Sequence, residues 1–277
     1  MAEGTLFVCA TPIGNLGDVT PRLKETLASV DVIYAEDTRR TAKLLSHLGI
    51  EATVVSLFSG NEAERSERLI GQVSAGQDVA LVTDAGTPAV SDPGALAVEM
   101  ALDRGLTVRV VPGPSAVTAA LAVSGMGGDR FVFEGFLPRK GVARERRLES
   151  IRSEPRPMVL FVSPHRAGQD LSDLALSCGA ERRVVVAREL TKLHEEVWSG
   201  TLAASLERFG DDVKGELTLI ISPADPVEPP EESVIADARR MVDDGISVSE
   251  AARRASRSGG VSRRRVYQAL IEDQERS

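Results

Sequence analysis

Residues 81–94, LVTDAGTPAVSDPG, decide the fold. An apolar, β-branched run stops there at residues that reach positive φ without strain, as glycine does, or fix φ, as proline does. Residues 108–116, VRVVPGPSA, repeat the design. In the first stretch Asp92 is expected as a helix N-cap with Pro93 at the first helical position, and in the second Pro114 or Ser115 starts the next helix. Strand, tight turn and helix in succession leave backbone groups at the carboxyl edge of a sheet, where open α/β proteins bind ligands. Two such joints predict a binding site at that edge.

Working outward, apolar runs alternate with helix-like segments. Residues 5–10, 32–35, 53–57, 79–83 and 108–111 read as strands. A helix capped by Thr20 and begun by Pro21, and segments 38–47, 61–74 and 92–104, lie between them. This alternation predicts a mostly parallel sheet covered on both faces. After the Ser, Gly and Asp-rich passage 123–129 the pattern restarts, with strand-like runs at 131–136, 158–162, 184–189, 195–200 and 216–222. Val197, Trp198 and the following Gly-Thr read as a hairpin arm, so the second sheet is expected to be mixed. Residues 222–232, SPADPVEPPEE, form a solvated linker. Beyond it come a helical segment at 233–244, a capping-box pattern at Ser247–Glu250, and two short helices separated by Gly259-Gly260. The fold class is thus α/β, with domains at 1–123 and 124–222, a linker at 223–232 and a helical, helix-turn-helix-like domain at 233–277. Small helical hairpins of that kind serve protein contacts as well as nucleic acid.

Composition agrees with two lobes and an appendage. The 277 residues exceed one typical domain, and 42% hydrophobic content suffices for cores that 4% aromatic content leaves to Val, Leu, Ala and Ile. No apolar run approaches the roughly 18 residues of a membrane span and no cleavable leader is recognisable, which implies a cytoplasmic protein without membrane contact. Cys9 and Cys178 give no disulfide framework, and His47, His165 and His194 have no metal-ligand spacing, so packing is the expected use of both cysteines and no metal is implied. The net charge of −8 argues against indiscriminate adhesion to nucleic acid. From Ser247 onward, however, seven arginines stand against four acids, and a second cluster gathers Arg139, Lys140, Arg144, Arg146 and Arg147. Basic patches on an acidic body suit a polyanion held at chosen places, or are simply solvated helix faces.

Seven blocks then stand in order: TPIGNLGD from Thr11, AEDTRRT from Ala35, TDAGTP from Thr83, SDPG from Ser91, PGPSA from Pro112, EGFLPRK from Glu134 and ARELTKLHEE from Ala187. Over residues 4–222 the chain resembles the ribosomal RNA methyltransferase branch of the tetrapyrrole methylase superfamily. The loop after the first strand lacks the G-x-G-x-G pattern of the cobalamin and siroheme branch, which favours RNA over a porphyrinoid acceptor. The resemblance implies two α/β domains with S-adenosylmethionine in the cleft between them and usually a homodimer. It also implies 2′-O-methylation of a cytidine ribose in the decoding region of 16S RNA within the small ribosomal subunit. A small-molecule methylase and a non-enzymatic nucleic-acid-binding regulator are the alternatives.

Such a reaction asks the protein for alignment, desolvation and removal of a proton. The cofactor is expected on backbone groups at Asp84, Ala85, Gly86, Thr87, Ser115 and Ala116. The resemblance adds Phe133, Glu134, Ser163, Leu190, Glu216 and Leu217 from the second domain, although buried strand residues are usually core. A lysine of lowered pKa or a carboxylate would serve as base, which nominates Lys192 with Glu189 or Glu196, and Glu36 with Asp37; ion pairs that fix a loop are the alternative use of each. Arg39, Arg40, Arg139, Lys140, Arg263, Arg264 and Arg265 are the expected RNA contacts. Phe58, Phe136 and Tyr267 are candidate stacking platforms, with core packing expected for Phe136.

Overall fold

A computed structural model describes residues 3–225 and 230–274. The chain divides into two compact units, Met1–Ala224 and Asp225–Ser277. Of the expected linker, residues 226–229 lie outside the described residues, as does Arg276 of the basic tail.

The first unit opens with five parallel strands, β1 (Thr5–Cys9), β2 (Val32–Ala35), β3 (Val54–Ser56), β4 (Val79–Val82) and β5 (Thr107–Val111), in the order β3-β2-β4-β1-β5. Helices α1 (Pro21–Ser29), α2 (Thr38–Leu48), α3 (Glu62–Ser74) and α4 (Ala95–Asp103) cover it. Every residue of β2 and β4 is buried, because alternate side chains enter different cores. Leu81 packs with Leu69, Ile70 and Ala97 from α3 and α4. Its neighbours Ala80 and Val82 pack with Leu23, Leu27, Leu44 and Leu45 from α1 and α2. Strands with two apolar faces carry no polar alternation, which is why they read as continuous runs.

Local chemistry sets the helix starts. Thr20 caps α1 by accepting from the Leu23 N–H at 3.1 Å, with Pro21 following. Asp37 caps α2 by accepting from the Arg39 N–H at 2.8 Å. The expected cap at Asp92 is not used. Helix α4 starts at Ala95 behind Gly94, whose φ of 121° carries the chain past the Asp-Pro pair and frees the Asp92 carboxylate for a partner elsewhere. Ser115 does occupy the N-cap position of α5 (Ala116–Ser124).

A second sheet comprises β6 (Val132–Phe136), β7 (Met158–Val162), β8 (Arg183–Arg188), β9 (Glu196–Thr201) and β10 (Leu217–Ile221), in the order β6-β7-β10-β8-β9. Only β6 and β7 pair in parallel; β8 and β9 form the antiparallel hairpin, so the sheet is mixed. Helix α5 lies on one face, packing Val117, Ala120 and Leu121 against Val159, Val185 and Ile220. Helices α6 (Val142–Ser153), α7 (Ala167–Cys178) and α8 (Leu202–Phe209) close the other face around Leu160, Val186 and Leu219. Arg144, one of the basic cluster, is buried: it pairs with Asp170 at 2.8 Å and Asp173 at 2.7 Å and ties α6 to α7. Arg147 is likewise engaged, with Glu134.

In the second unit α9 (Glu231–Asp243), α10 (Val248–Ser258) and α11 (Arg263–Gln274) pack about Val234, Ala238, Ala251, Ala252, Val266 and Leu270. The capping box does not form. Ser247 sits at the N-cap without a side-chain bond, and the Glu250 carboxylate goes instead to Arg253 and Arg254. Arg265 pairs with Glu231, and Arg263 donates to Ser249.

Candidate active site

Four loops at the carboxyl edge of the first sheet and the facing ends of β7, β8 and β10 enclose a cavity of about 360 Å³. The loop after β4 is clamped to the loop after β1 by a two-way backbone bridge, Thr11 N–H to Gly86 O at 2.8 Å and Gly86 N–H to Thr11 O at 3.1 Å. Gly86 takes φ 82° to make it, so its N–H is committed to the fold rather than free for a ligand. Non-glycine residues in the left-handed region stand in the same loop, Ala89 at 68° and Ser91 at 67°, and in the β8–β9 loop, Glu189 at 51° and Thr191 at 66°. Such backbone is held only where its surroundings over-determine it, and here four of the five instances among the described residues belong to the two loops that bring lining residues to the cavities.

The charge of the cavity is its defining property. Four carboxylates line it, Glu36, Asp84, Asp92 and Glu216, against one guanidinium, Arg40, whose Nη1 is 3.5 Å from Asp84 Oδ2. Burial pushes the Asp92 carboxyl up to about 6, opposed by its bond from Thr83 and reinforced by the charges of Glu36, Asp84 and Glu216. Burial and Glu36 also raise Asp84, against the Asp37 N–H that it accepts at 2.9 Å and the charge of Arg40. The buried Thr83 hydroxyl lies between two carboxylates, 2.7 Å from Glu36 Oε2 and 2.8 Å from Asp92 Oδ2.

A second cavity of about 310 Å³ adjoins the first and shares Ile13, Arg40, Asp84, Ala85 and Glu216 with it. Thr11, Gly14, Thr83, Lys43 and Lys192 complete much of its wall. Lys192 donates to Glu189 at 2.7 Å and Glu216 at 2.9 Å. Burial works to lower its pKa, but the two carboxylates outweigh burial and hold it above the usual lysine value. This pairing runs opposite to the lowered pKa that a resting lysine base would need.

Of the residues expected at the cofactor, Asp84, Ala85, Gly86, Thr87, Ser115, Ala116, Ser163, Leu190, Glu216 and Leu217 do line the first cavity, together with Glu36 and Arg40. Phe133 and Glu134 do not. Phe133 stacks edge-on against Phe161, 5.1 Å between centroids, in the α5 core, and Glu134 is taken by Arg147. Asp37 is spent on the α2 cap and on Arg39. Phe136, expected in a core, is 54% exposed and lines the first cavity. Asp92 and Thr83 went unnominated because Asp-Pro reads as a helix cap and threonine at a strand end reads as filler. The available signal was an acid inside a Gly/Pro loop that directly follows a buried strand.

Residues 5–205 match the family model described as Tetrapyrrole (Corrin/Porphyrin) Methylases. Over 273 residues the chain is 44% identical to the ribosomal RNA small subunit methyltransferase I of Synechocystis sp., covering 97% of this chain and 98% of that protein. Among solved structures it is similar to a diphthine synthase, with a TM-score of 0.62 and 20% identity over 79% of this chain and 89% of that one. It is also similar to the uroporphyrin-III C-methyltransferase of Thermus thermophilus complexed with S-adenosylhomocysteine, with a TM-score of 0.57 and 19% identity over 79% and 97% of the two chains. The chain belongs to the tetrapyrrole methylases and, within them, to the ribosomal RNA small subunit methyltransferase I family. It is a methyltransferase, and S-adenosylmethionine is its cofactor.

The cavity fits that cofactor on its own chemistry. Ile13, Val117 and Leu190 offer apolar surface for a nucleobase, and an excess of carboxylates suits a ligand that carries a sulfonium and an ammonium. A phosphate-bearing cofactor would meet the same carboxylates as repulsion.

Proposed function

We propose that the protein transfers a methyl group to small-subunit ribosomal RNA, at the 2′-hydroxyl of a cytidine in the decoding region. The observation that carries the reading is the junction of two cavities of unlike character. The first is dominated by carboxylates; the second sets Arg40, Lys43 and Lys192 against the shared Asp84 and Glu216, so that cations outnumber carboxylates there and Lys43 offers charge to a nucleotide backbone. The name of the Synechocystis relative supports RNA as the acceptor class, and the resemblance of the seven sequence blocks supports the cytidine ribose. When bound, the cofactor supplies a methyl group already activated on sulfur. What this chain adds is alignment of an acceptor hydroxyl at the shared wall, exclusion of water, and a place for the proton.

Arg40 and Lys43 on the first turns of α2 are assigned to RNA phosphates, with Arg39, Arg139, Lys140 and the tail residues Arg263, Arg264 and Arg265 as outer contacts. The pairing of Arg39 with Asp37 and of Arg265 with Glu231 does not stand against this, since exposed ion pairs are worth about 0–1 kcal/mol and exchange for phosphate readily. A single-stranded or splayed nucleotide is the expected target, because A-form grooves hide base edges. The working form is assigned as a homodimer.

Lys43 lines only the second cavity, which makes it the test. Lys43→Ala is expected to lower the slope of log affinity for RNA against log salt by about 1 and to leave cofactor affinity unchanged. An unchanged RNA slope, or a loss confined to cofactor binding, would contradict the assignment of the second cavity to RNA.

A further inference from the structure

Three oxygens stand in a row where the two cavities meet: Glu36 Oε2, Thr83 Oγ1 and Asp92 Oδ2, at 2.7 and 2.8 Å. A hydroxyl has one hydrogen to give and can donate to only one of the two carboxylates. The other contact is attractive only if that carboxyl carries a proton and donates to Thr83. Both carboxylates ionised would leave two oxygens facing each other at hydrogen-bond distance with no hydrogen between them. The arrangement is therefore that of a site holding one exchangeable proton. Asp92 is the member whose carboxyl is raised to about 6. The groups that face it are Glu36 after β2, Asp84 on its own loop and Glu216 before β10; Arg40 of α2 offsets Asp84, and Lys192 of the β8–β9 loop offsets Glu216.

The cluster also spans the two cavities. Glu36 and Asp92 line the first, whereas Thr83 lines the second. Resting on the reading that the first cavity holds the cofactor and the second the acceptor, we propose that Thr83 passes the acceptor hydroxyl's proton to Asp92, and that Asp92 is ionised while the cavity holds a sulfonium and takes the proton when that charge is lost. In the transfer the acceptor oxygen forms the new O–CH₃ bond as the S–CH₃ bond breaks, with its electron pair left on sulfur. The hydroxyl proton moves to Thr83 Oγ1 as the Thr83 proton moves to Asp92 Oδ2. Loss of the neighbouring positive charge raises the proton affinity of Asp92 at the moment a proton must be accepted. The hydrogen that Thr83 gains from the acceptor is then available to Glu36, so that both contacts of the row hold a hydrogen once Asp92 is protonated. Asp92 later returns the proton to solvent when the next cationic cofactor enters.

The test counts protons. Full-length protein is titrated at pH 6 with S-adenosylmethionine and, separately, with S-adenosylhomocysteine, in buffers of different ionisation enthalpy. The two ligands differ by one positive charge. Binding of S-adenosylmethionine is expected to release up to about half a proton more per site than binding of S-adenosylhomocysteine, and Asp92→Asn is expected to abolish the difference. Equal proton counts for two ligands that both bind, or a difference that survives in Asp92→Asn, would overturn the proposal. Failure of both ligands to bind the wild-type chain would instead overturn the cofactor reading beneath it. Thr83 gives an arm independent of the Asp92 variant. In single-turnover transfer to RNA, Thr83→Val is expected to be at least tenfold slower and Thr83→Ser to recover most of the rate, with a wild-type profile that rises with pH and levels off below pH 6, because the sulfonium lowers Asp92 in the complex. Equal rates for Thr83→Val and wild type, or failure of Thr83→Ser to recover, would overturn the relay.

Discussion

Asp92 and Lys192 are both partly buried beside charge and both shift upward, with opposite consequences for charge: burial and neighbouring acids hold Asp92 toward its neutral form, whereas two carboxylates outweigh burial and hold Lys192 as a cation. A carboxyl raised from 3.8 to about 6 on folding contributes stability that is fully present below its unfolded value and is lost as pH rises through the folded one. Asp92→Asn should therefore leave the ligand-free protein more stable than wild type at pH 7.5, by about 1 kcal/mol once solvent screening of this partly exposed group is discounted. Thermal unfolding at the two pH values checks this, and the advantage should vanish by about pH 4. No gain at pH 7.5 would mean that the carboxylate is not under strain. The same residue marks the limit of sequence reading. Asp-Pro is a correct signal for a helix start, but Gly94 at φ 121° delays α4 to Ala95, and a two-residue shift converts a cap into a lining group. Asp84, Ser115 and Ala116 were legible because strand ends in this class of sheet nearly always face the ligand. Phe133 and Glu134, nominated by the resemblance alone, are used otherwise here, Phe133 in the α5 core and Glu134 with Arg147, on a strand that bulges between Phe133 and Gly135.

At the scale of elements, continuous apolar runs located β2 and β7 to the residue, whereas partly exposed β5 begins one residue earlier than its apolar run does. Gly94 is the joint on which the β4–α4 loop turns. A Cβ there would meet Leu81 Cδ2 at 2.7 Å in addition to an unfavourable φ. Gly94→Ala should cost about 2–3 kcal/mol in urea unfolding and weaken cofactor binding through displacement of Asp92; an unchanged midpoint would contradict the strained turn. Arg144 shows why a basic cluster in sequence is not one surface. Its guanidinium donates to Asp170, Asp173 and the Pro138 carbonyl, so Arg144→Ala leaves the buried Asp170 only the longer contact to Arg166 at 3.4 Å and is expected to cost about 3 kcal/mol. Arg139→Ala, on the exposed β6–α6 loop, should change stability within about 0.5 kcal/mol. A comparable loss from both substitutions would contradict this division. Helices α10 and α11 appeared in the sequence through the Gly259-Gly260 break between them, but the box at Ser247 does not form because the Glu250 carboxylate goes to Arg253 and Arg254.

For the whole molecule, a net charge of −8 conceals a division of labour. Carboxylates concentrate in the first cavity, and cations gather at Arg40, Lys43 and Lys192 and along α10 and α11. Every lining residue of the first cavity falls within Met1–Ala224. Replacing Arg263, Arg264 and Arg265 together by alanine should leave cofactor affinity unchanged while lowering the salt slope of RNA binding by up to about 3. An unaltered slope would assign the helical unit to protein contacts. Composition announced the charge contrast but not its placement, because the acids of the cavity lie scattered between Glu36 and Glu216 and only the fold assembles them. The most direct test of the account is transfer of labelled methyl from S-adenosylmethionine into small ribosomal subunits from cells that lack this protein, followed by mapping of the product. A single 2′-O-methylated cytidine in the decoding region is the expected result; label confined to a small molecule, or none in subunits and free RNA despite cofactor binding, would contradict it.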